Sequence, residues 1–167
     1  MQQTLSRAAI FDLLDDVNDP EVPALSVVEL GIVRDVRLDD GGVTIVVTPT
    51  YSGCPAMHVI EEDIRAALAA HGVAPVAIET RYAPAWTTDW LSESAKRKLE
   101  AYGIAAPGPA PVLDLVSITR RSTAEPIRCP FCGSHQTEVR SEFGSSACKS
   151  ICYCRSCRQP FEQFKAL

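Results

Sequence analysis

The chain has 167 residues, 46% of them hydrophobic and 22% charged, which suits a globular protein with one core and a small second module. Its net charge of -5 is unevenly distributed: residues 1–110 hold 8 basic and 16 acidic side chains, and residues 111–167 hold 8 basic and 5 acidic. Because proteins that bind duplex nucleic acid usually present a concentrated basic face, we do not expect nucleic-acid binding.

The sequence predicts neither an export signal nor a membrane span. No basic segment feeds an apolar run of signal-peptide length at the N-terminus, and charges interrupt every apolar stretch before it could cross a bilayer. We therefore expect a cytoplasmic protein. In that reducing compartment, its seven cysteines are expected to be metal ligands or reactive thiols and not disulfides.

The first predicted elements are a helix and a β-hairpin. Apolar residues at helical spacing predict a helix over residues 5–17, which the prolines of residues 18–23 end. Strands rich in valine and isoleucine are predicted over residues 32–39 and 43–49. The Asp-Asp-Gly-Gly sequence between them permits the positive φ angles of a tight hairpin, so the two strands should pair.

A helix and a third strand follow. Residues 55–71 carry apolar side chains along one helical face, and Gly72 suits the C-terminal cap. A strand over roughly 73–82 and a polar helix over 88–102 complete this part. The predicted fold class is α+β, with a small β-β-α-β two-layer body and flanking helices.

Trp86 and Trp90 lie four residues apart, on either side of Thr87-Thr88-Asp89 where the polar helix begins. Aromatic pairs at this spacing usually pack in a core or at the entry to a helix, and we expect that role here. Rings that faced solvent beside Cys54 would instead mark a surface for a protein partner.

A proline-rich stretch, Ala-Ala-Pro-Gly-Pro-Ala-Pro at residues 105–111, marks the end of the body. These prolines disfavour both helix and strand pairing and favour an extended tether. We predict a first domain over residues 1–105, a linker with a docking segment over 106–125, and a small C-terminal domain over 126–167.

Two Cys-x-x-Cys sequences, called knuckles below, predict a metal site in this C-terminal domain. They contain Cys129, Cys132, Cys154 and Cys157, with a stretch long enough for a hairpin between them. Four thiolates can surround one Zn2+ tetrahedrally at about 2.3 Å and stabilise a segment too short for a core of its own. Iron accepts the same ligands, but the hairpin-like spacing favours zinc. We expect a closed, structural zinc ribbon.

Cys148 and Cys152 lie between the two knuckles. Either could replace a knuckle cysteine as a ligand, but that would break the symmetric spacing of the site. We expect both to be packed or reactive free thiols.

Cys54 is the candidate for chemistry in the first domain. It lies where a glycine-containing loop enters the second predicted helix, and the free N–H groups of a first helical turn lower a thiol pKa. The alternative is a small buried side chain without a role. Asp19 and Glu21 could approach Cys54, although a helix cap or turn is the more ordinary role for them. His58 lies one turn beyond Cys54, and we expect it to be packed or solvated.

Eight short sequences spread over nearly the whole chain carry a family resemblance. They are Asp19–Pro23, Leu30–Val33, Thr48–Ala56, Pro84–Trp90, Tyr102–Ala105, Cys129–Gly133, Ser141–Ser145 and Pro160–Lys165. In these the chain resembles the D subunits, PaaD, of the phenylacetyl-CoA epoxidase system. Its N-terminal two-thirds also resembles the wider family of small iron–sulfur assembly factors that includes SufT. The chain departs from the PaaD pattern at Cys152, where an aromatic or aliphatic residue is expected.

The resemblance implies an accessory role in bacterial aerobic phenylacetate degradation. The epoxidase of that pathway combines a di-iron oxygenase with an iron–sulfur flavin reductase, and PaaD-like proteins carry neither centre. By this resemblance the protein would help to mature a centre of these partners. Cys54 would be a transient iron or cluster ligand, with Asp19 and Glu21 near it.

Three readings of Cys54 follow from these expectations. One thiol cannot hold a stable cluster, so a maturation factor would need a second ligand from a partner or from a second copy of the chain. A stoichiometric scaffold subunit of the epoxidase would only pack Cys54. A thiol enzyme would use Cys54 as nucleophile, but the sequence shows no evident base for it, and we name no catalytic residue.

Overall fold

A three-stranded sheet with two helices and a four-stranded sheet form most of this computed structural model. The structure describes residues 6–39, 42–108 and 126–166. The chain divides into two compact units, Met1–Trp86 with Trp90–Ala95, and Thr87–Asp89 with Lys96–Leu167. Most of the predicted linker and docking segment, residues 106–125, lies outside the described residues, so the predicted division into domains stays a prediction.

The first helix, α1, spans Arg7–Leu14 and is shorter than the predicted helix over 5–17. Ser6 caps its N-terminus, where the side-chain oxygen accepts a hydrogen bond from the backbone N–H of Ala9 at 3.1 Å. Ile10 and Leu14, four residues apart, are fully buried. The helix therefore presents one apolar stripe to the core, and the helix ends at Leu14.

The sheet of the first unit has the order β1-β2-β3. Strands β1, Val33–Asp39, and β2, Gly42–Val47, pair antiparallel. Helix α2, Met57–Ala70, leads to β3, Val76–Thr80, which pairs parallel with β2. The predicted α+β class and β-β-α-β order are confirmed.

Helix α2 packs through one stripe of side chains spaced four residues apart, Ile60, Ile64 and Leu68, each fully buried. Gly72 lies just beyond its C-terminus with a φ of +74°, a conformation that glycine adopts without strain. The helix begins at Met57, two residues later than predicted. This later start places Cys54 outside the helix.

The single helix predicted over residues 88–102 is wrong in one respect, because this segment forms two separate helices. A 3-10 helix spans Thr88–Trp90 and helix α3 spans Glu93–Tyr102. The Ser92 hydroxyl oxygen accepts a hydrogen bond from the backbone N–H of Ala95 at 3.1 Å and caps the start of α3.

No described helix has the length and hydropathy of a membrane span.

The sheet of the second unit has the order β4-β7-β6-β5. Its strands are β4 Ile104–Ala105, β5 Thr137–Ser141, β6 Lys149–Cys154 and β7 Pro160–Phe164. The predicted hairpin between the knuckles is the antiparallel pair of β5 and β6. Strand β4, which the sequence did not predict, pairs parallel with β7.

An ion pair between a buried lysine and a partly exposed glutamate supports this second sheet. The ammonium group of Lys149, a residue only 3% exposed, lies 3.2 Å from a carboxylate oxygen of Glu162. Glu162 also accepts a hydrogen bond from the backbone N–H of Ser145 at 2.6 Å. Burial alone would raise the pKa of Glu162, but these hydrogen bonds and the Lys149 charge outweigh it and lower the pKa.

Candidate metal centre and the Cys54 loop

The two knuckles are formed by turns that repeat the same backbone geometry. Each Cys-x-x-Cys sequence is followed by a residue with positive φ, Gly133 at 73° and Arg158 at 61°. The first turn closes with hydrogen bonds from the Cys129 N–H to the Ser134 carbonyl oxygen and from the Gly133 N–H to the Cys129 carbonyl oxygen, both at 2.9 Å. The second closes with one from the Cys154 N–H to the Gln159 carbonyl oxygen at 3.0 Å. Each turn therefore positions its two sulfurs through local bonds.

The two turns bring the four knuckle sulfurs together. The sulfurs of Cys129, Cys132, Cys154 and Cys157 all lie within 4.8 Å of one another. Across the two knuckles, the Cys129 and Cys157 sulfurs are 3.7 Å apart and the Cys132 and Cys154 sulfurs are 3.6 Å apart. Four bonds of about 2.3 Å in a tetrahedron would place sulfurs about 3.8 Å apart. The four cysteines thus form a metal-binding group whose spacing fits a single Zn2+.

The electrostatics of this group also fit a cation. Backbone N–H groups of Cys157 and Ser156, with the neighbouring thiols, lower the pKa of Cys154 to about 7. Burial, together with the sulfurs of Cys132, Cys154 and Cys129, raises the pKa of Cys157 to about 12. The Cys154 thiol thus loses its proton near neutral pH, whereas the Cys157 thiol keeps its proton. A bound cation would allow all four sulfurs to be thiolates.

The remaining ribbon cysteines are packed. Cys148 is 3% exposed, and its sulfur lies 3.0 Å from the Ser146 hydroxyl. Cys152 is fully buried in the apolar cluster that also contains Phe161. Among the described residues, neither belongs to the four-sulfur group. Burial raises the pKa of Cys152, which is the behaviour of a packed thiol.

Cys54 lies in the loop between β2 and α2. Gly53, with a φ of +85°, turns the chain toward the helix. The Cys54 carbonyl oxygen accepts a hydrogen bond from the Met57 N–H at 3.3 Å, and the Cys54 side chain is half-buried. The thiol is therefore neither sealed in the core nor fully in solvent.

The predicted lowering of the Cys54 pKa is wrong. Burial is the largest influence and raises the pKa, and the negative charges of Glu21 and Asp19 raise it further. Hydrogen bonds from the Ala56 N–H and the Tyr51 hydroxyl oppose this shift without overcoming it. Because α2 begins only at Met57, the sulfur is not held at its first turn. Cys54 is consequently a protonated thiol at neutral pH.

Asp19 combines the two roles that the sequence left open for it. Its carboxylate accepts hydrogen bonds from the backbone N–H groups of Glu21 and Val22, both at 2.8 Å, in a turn of the kind aspartate favours. The residue is 5% exposed, and its charge acts on Cys54 together with that of Glu21. The turn after α1 thus holds two carboxylates near the thiol.

Trp86 and His58 have the ordinary roles expected of them: Trp86 is packed and His58 is solvated. Trp86 is buried, and its indole N–H donates to the Leu30 carbonyl oxygen at 2.9 Å. The His58 side chain is 79% exposed and faces Glu62 at 3.7 Å.

Tyr51 did not stand out in the sequence. Its position three residues before Cys54 was the available signal, but only the turn at Gly53 brings its hydroxyl to the sulfur.

Comparison with protein-family models gives two matches. Residues 114–165 match the PaaD zinc beta ribbon domain, which includes both knuckles. Residues 7–78 match an iron–sulfur cluster assembly protein family, which includes Asp19, Glu21 and Cys54.

Curated relatives and solved structures agree with both matches. A protein of Escherichia coli (strain K12) described as the D subunit of 1,2-phenylacetyl-CoA epoxidase is 41% identical over 95% of this chain and 92% of its own length. An Fe-S protein maturation auxiliary factor of Porphyromonas gingivalis is 38% identical over 54% of this chain and 87% of its own. A domain of unknown function, DUF59, from Bacillus anthracis has a TM-score of 0.52 with 29% identity, over 56% of this chain and 90% of that structure. The chain therefore belongs to the PaaD family of phenylacetyl-CoA epoxidase D subunits.

Proposed function

We propose that this protein is a non-catalytic accessory factor of a bacterial 1,2-phenylacetyl-CoA epoxidase system that assists the maturation of a di-iron or iron–sulfur centre in its partners. Similarity to the D subunit of that system over nearly the full length supports the link to the epoxidase. The match of residues 7–78 to an iron–sulfur assembly family supports the maturation role. The partners would be the di-iron oxygenase and the iron–sulfur flavin reductase.

The observation that carries this proposal is the half-buried Cys54 thiol beside two carboxylates. Asp19 and Glu21 disfavour a lone thiolate, but the same negative charges would attract a cation to the sulfur. Iron or a cluster would be cargo here and not a resident cofactor. One thiolate with nearby carboxylates is an incomplete ligand set, which suits release to a client.

A second ligand would have to come from outside this site. A client protein or a second copy of the chain could supply it, so we expect an assembly that exists only during transfer. The raised pKa of Cys54 weighs against the thiol-enzyme alternative, because a nucleophile is usually activated by a lowered pKa.

The C-terminal module would hold structural Zn2+ through Cys129, Cys132, Cys154 and Cys157. Four sulfurs at tetrahedral spacing leave no open coordination position for a substrate. We propose that it is a folded domain of residues 126–167 that binds a client surface, joined by residues 106–125 to a first domain of residues 1–105.

The test is epoxidase activity in iron-limited cells that carry Cys54→Ser, with Ser52→Ala as a control in the same loop. We expect a loss of activity in Cys54→Ser and restoration by iron supplementation, because the oxygenase would lack metal and remain otherwise intact. Iron content of the purified oxygenase and reductase identifies the client. Full activity and full iron content in Cys54→Ser would contradict the proposal.

The scaffold alternative makes a different prediction in the same cells. A scaffold protein would co-purify with the oxygenase at a fixed ratio, and Cys54→Ser would leave that ratio and the iron content unchanged. An assembly factor would be absent from the mature complex. Quantitative mass spectrometry of the purified complex therefore separates the two functions.

A further inference from the structure

The face of the first sheet that presents Val46 carries a row of charged side chains. By strand register, Val46 pairs with Asp35 on one side and with Glu79 on the other. Glu79 binds two arginines, Arg37 and Arg81, the latter at 2.5 Å. Val46 is nevertheless only 1% exposed. Partly exposed charged side chains therefore surround a buried valine on this face.

A cavity of about 300 Å³ lies along this face, and all of its lining residues belong to the first unit. Three arginines line it, Arg7, Arg34 and Arg81, with Asp35 as the single acidic residue of the lining. Three positive charges and one negative charge leave an excess of two positive charges at the lining. That excess is unusual in residues 1–110, where acidic side chains outnumber basic ones by 16 to 8.

The three arginines differ in how their charge is used. Arg7 binds Asp35 at 2.6 Å, and Arg81 binds Glu79. Arg34 lies over the ring of Trp90, with its guanidinium carbon 3.5 Å from the ring centroid, and forms no ion pair within the described part of the chain. Stacking holds the plane of a guanidinium and leaves its N–H groups at the edge free to donate. Arg34 is thus oriented and still able to bind an acceptor.

Thr48 supplies a second, independent feature of the cavity. The residue is 3% exposed and lines the cavity at the end of β2. Its backbone N–H donates to the Ile32 carbonyl oxygen at 2.8 Å, whereas its hydroxyl has no hydrogen-bond partner among the residues described. The hydroxyl is not sealed from solvent, so a ligand acceptor in the cavity would take the hydrogen bond that water otherwise takes.

We propose that this cavity binds a small oxyanion, a phosphate ester or a carboxylate. Arg34 would bind two of its oxygens through parallel N–H donors, and the Thr48 hydroxyl would donate to one of them. Arg7 and Arg81, already held by carboxylates, would contribute charge at longer range. The cavity is at the small end of ligand sites, so only the charged group of a larger molecule would enter it.

The experiment is an NMR titration of the zinc-loaded full chain with inorganic phosphate, with acetate and chloride at equal ionic strength. The Arg34 side-chain N–H and the Trp90 indole N–H report on the cavity directly. We expect saturable shifts with phosphate or acetate and none with chloride. Tighter binding of phosphate identifies a phosphate ester as the ligand, and tighter binding of acetate identifies a carboxylate.

Three variants decide whether the binding is specific. Arg34→Gln should weaken it by about tenfold or more, because a charged hydrogen-bond donor is lost. Thr48→Val, which keeps the buried shape, should weaken it by a few fold. Arg65→Gln, on the exposed surface of α2, should leave it unchanged. Non-saturating shifts, or equal weakening by Arg34→Gln and Arg65→Gln, would overturn the proposal.

Discussion

The two sulfur-containing regions of this protein differ in the number and source of possible ligands. In the ribbon, two local turns place four sulfurs within 4.8 Å of one another. In the first unit, one half-buried thiol lies near carboxylates from a distant turn. A complete ligand set retains its metal, whereas an incomplete set needs another molecule to complete it. One chain thus contains both a complete and an incomplete set of possible metal ligands.

The largest expected effect comes from breaking the complete set. We expect Cys154→Ser to lose bound zinc and unfold the ribbon, because metal binding to such modules contributes about 10–16 kcal/mol. Zinc analysis and the amide NMR signals of β5 to β7 measure both effects, while the signals of β1 to β3 should remain. Cys148→Ser is the control, a buried cysteine outside the four-sulfur group. Full zinc retention in Cys154→Ser would remove the distinction between the regions.

The next effect concerns the ion pair that supports the ribbon without metal. Glu162→Gln should destabilise the ribbon by about 1–3 kcal/mol, because it removes the carboxylate charge that lies 3.2 Å from the buried ammonium of Lys149. The lowered pKa of Glu162 means that its contribution is complete above the unfolded pKa of about 4.3 and is lost as pH falls through the folded value.

Chemical denaturation of wild type and Glu162→Gln at several pH values checks this sign. The difference in free energy of unfolding should be constant from about pH 5 to 8 and shrink below about pH 4.5. The zinc site is common to both proteins, so its own acid sensitivity cancels in the difference. A difference that grew on acidification would show that the carboxylate is not stabilising.

A smaller effect is expected at the left-handed residue of the second knuckle. Arg158 has a φ of 61°, where the first knuckle has Gly133. Arg158→Gly should stabilise the ribbon by about 1 kcal/mol, because glycine adopts this conformation without the steric cost of a side chain. Thermal unfolding measures the gain, and Arg158→Ala, which removes the side chain but keeps the Cβ atom that strains this conformation, serves as the control. A loss of stability in Arg158→Gly would mean that contacts of the Arg158 side chain stabilise the ribbon by more than its positive φ angle costs.

The smallest effect on stability is expected at the incomplete site. Cys54→Ser should change the free energy of unfolding by less than about 1 kcal/mol, because the half-buried thiol lies outside α2 and outside the four-sulfur metal site. Iron uptake by the anaerobically purified full chain should nevertheless fall. A large destabilisation with unchanged iron uptake would make Cys54 a packing residue and end the contrast with the ribbon.

Features encoded locally were accessible from the sequence. The Cys-x-x-Cys spacing placed four cysteines together, because each pair lies within one turn. Periodicity gave the order of the main strands and helices of the body, because one face of each is buried. The short break at Ser92 was missed, since capping in a polar segment leaves little apolar pattern to detect.

Features that depend on distant residues were not accessible. Strand β4 has two residues, and its pairing with β7 joins segments more than fifty residues apart. The direction of the Cys54 pKa depends on where α2 begins and on burial by other segments. The stacking of Arg34 on Trp90 joins β1 to the segment after β3 and has no sequence signature.

The matching knuckle turns have a consequence for the kinetics of metal exchange. Hydrogen bonds within each turn, such as the one from Gly133 to Cys129, shape a pair of sulfurs without help from the other knuckle. The protein therefore offers an arriving ion two ready bidentate chelators and not four separate thiols. Capture and release would each pass through a half-ligated state, open at that moment to competition from small thiols.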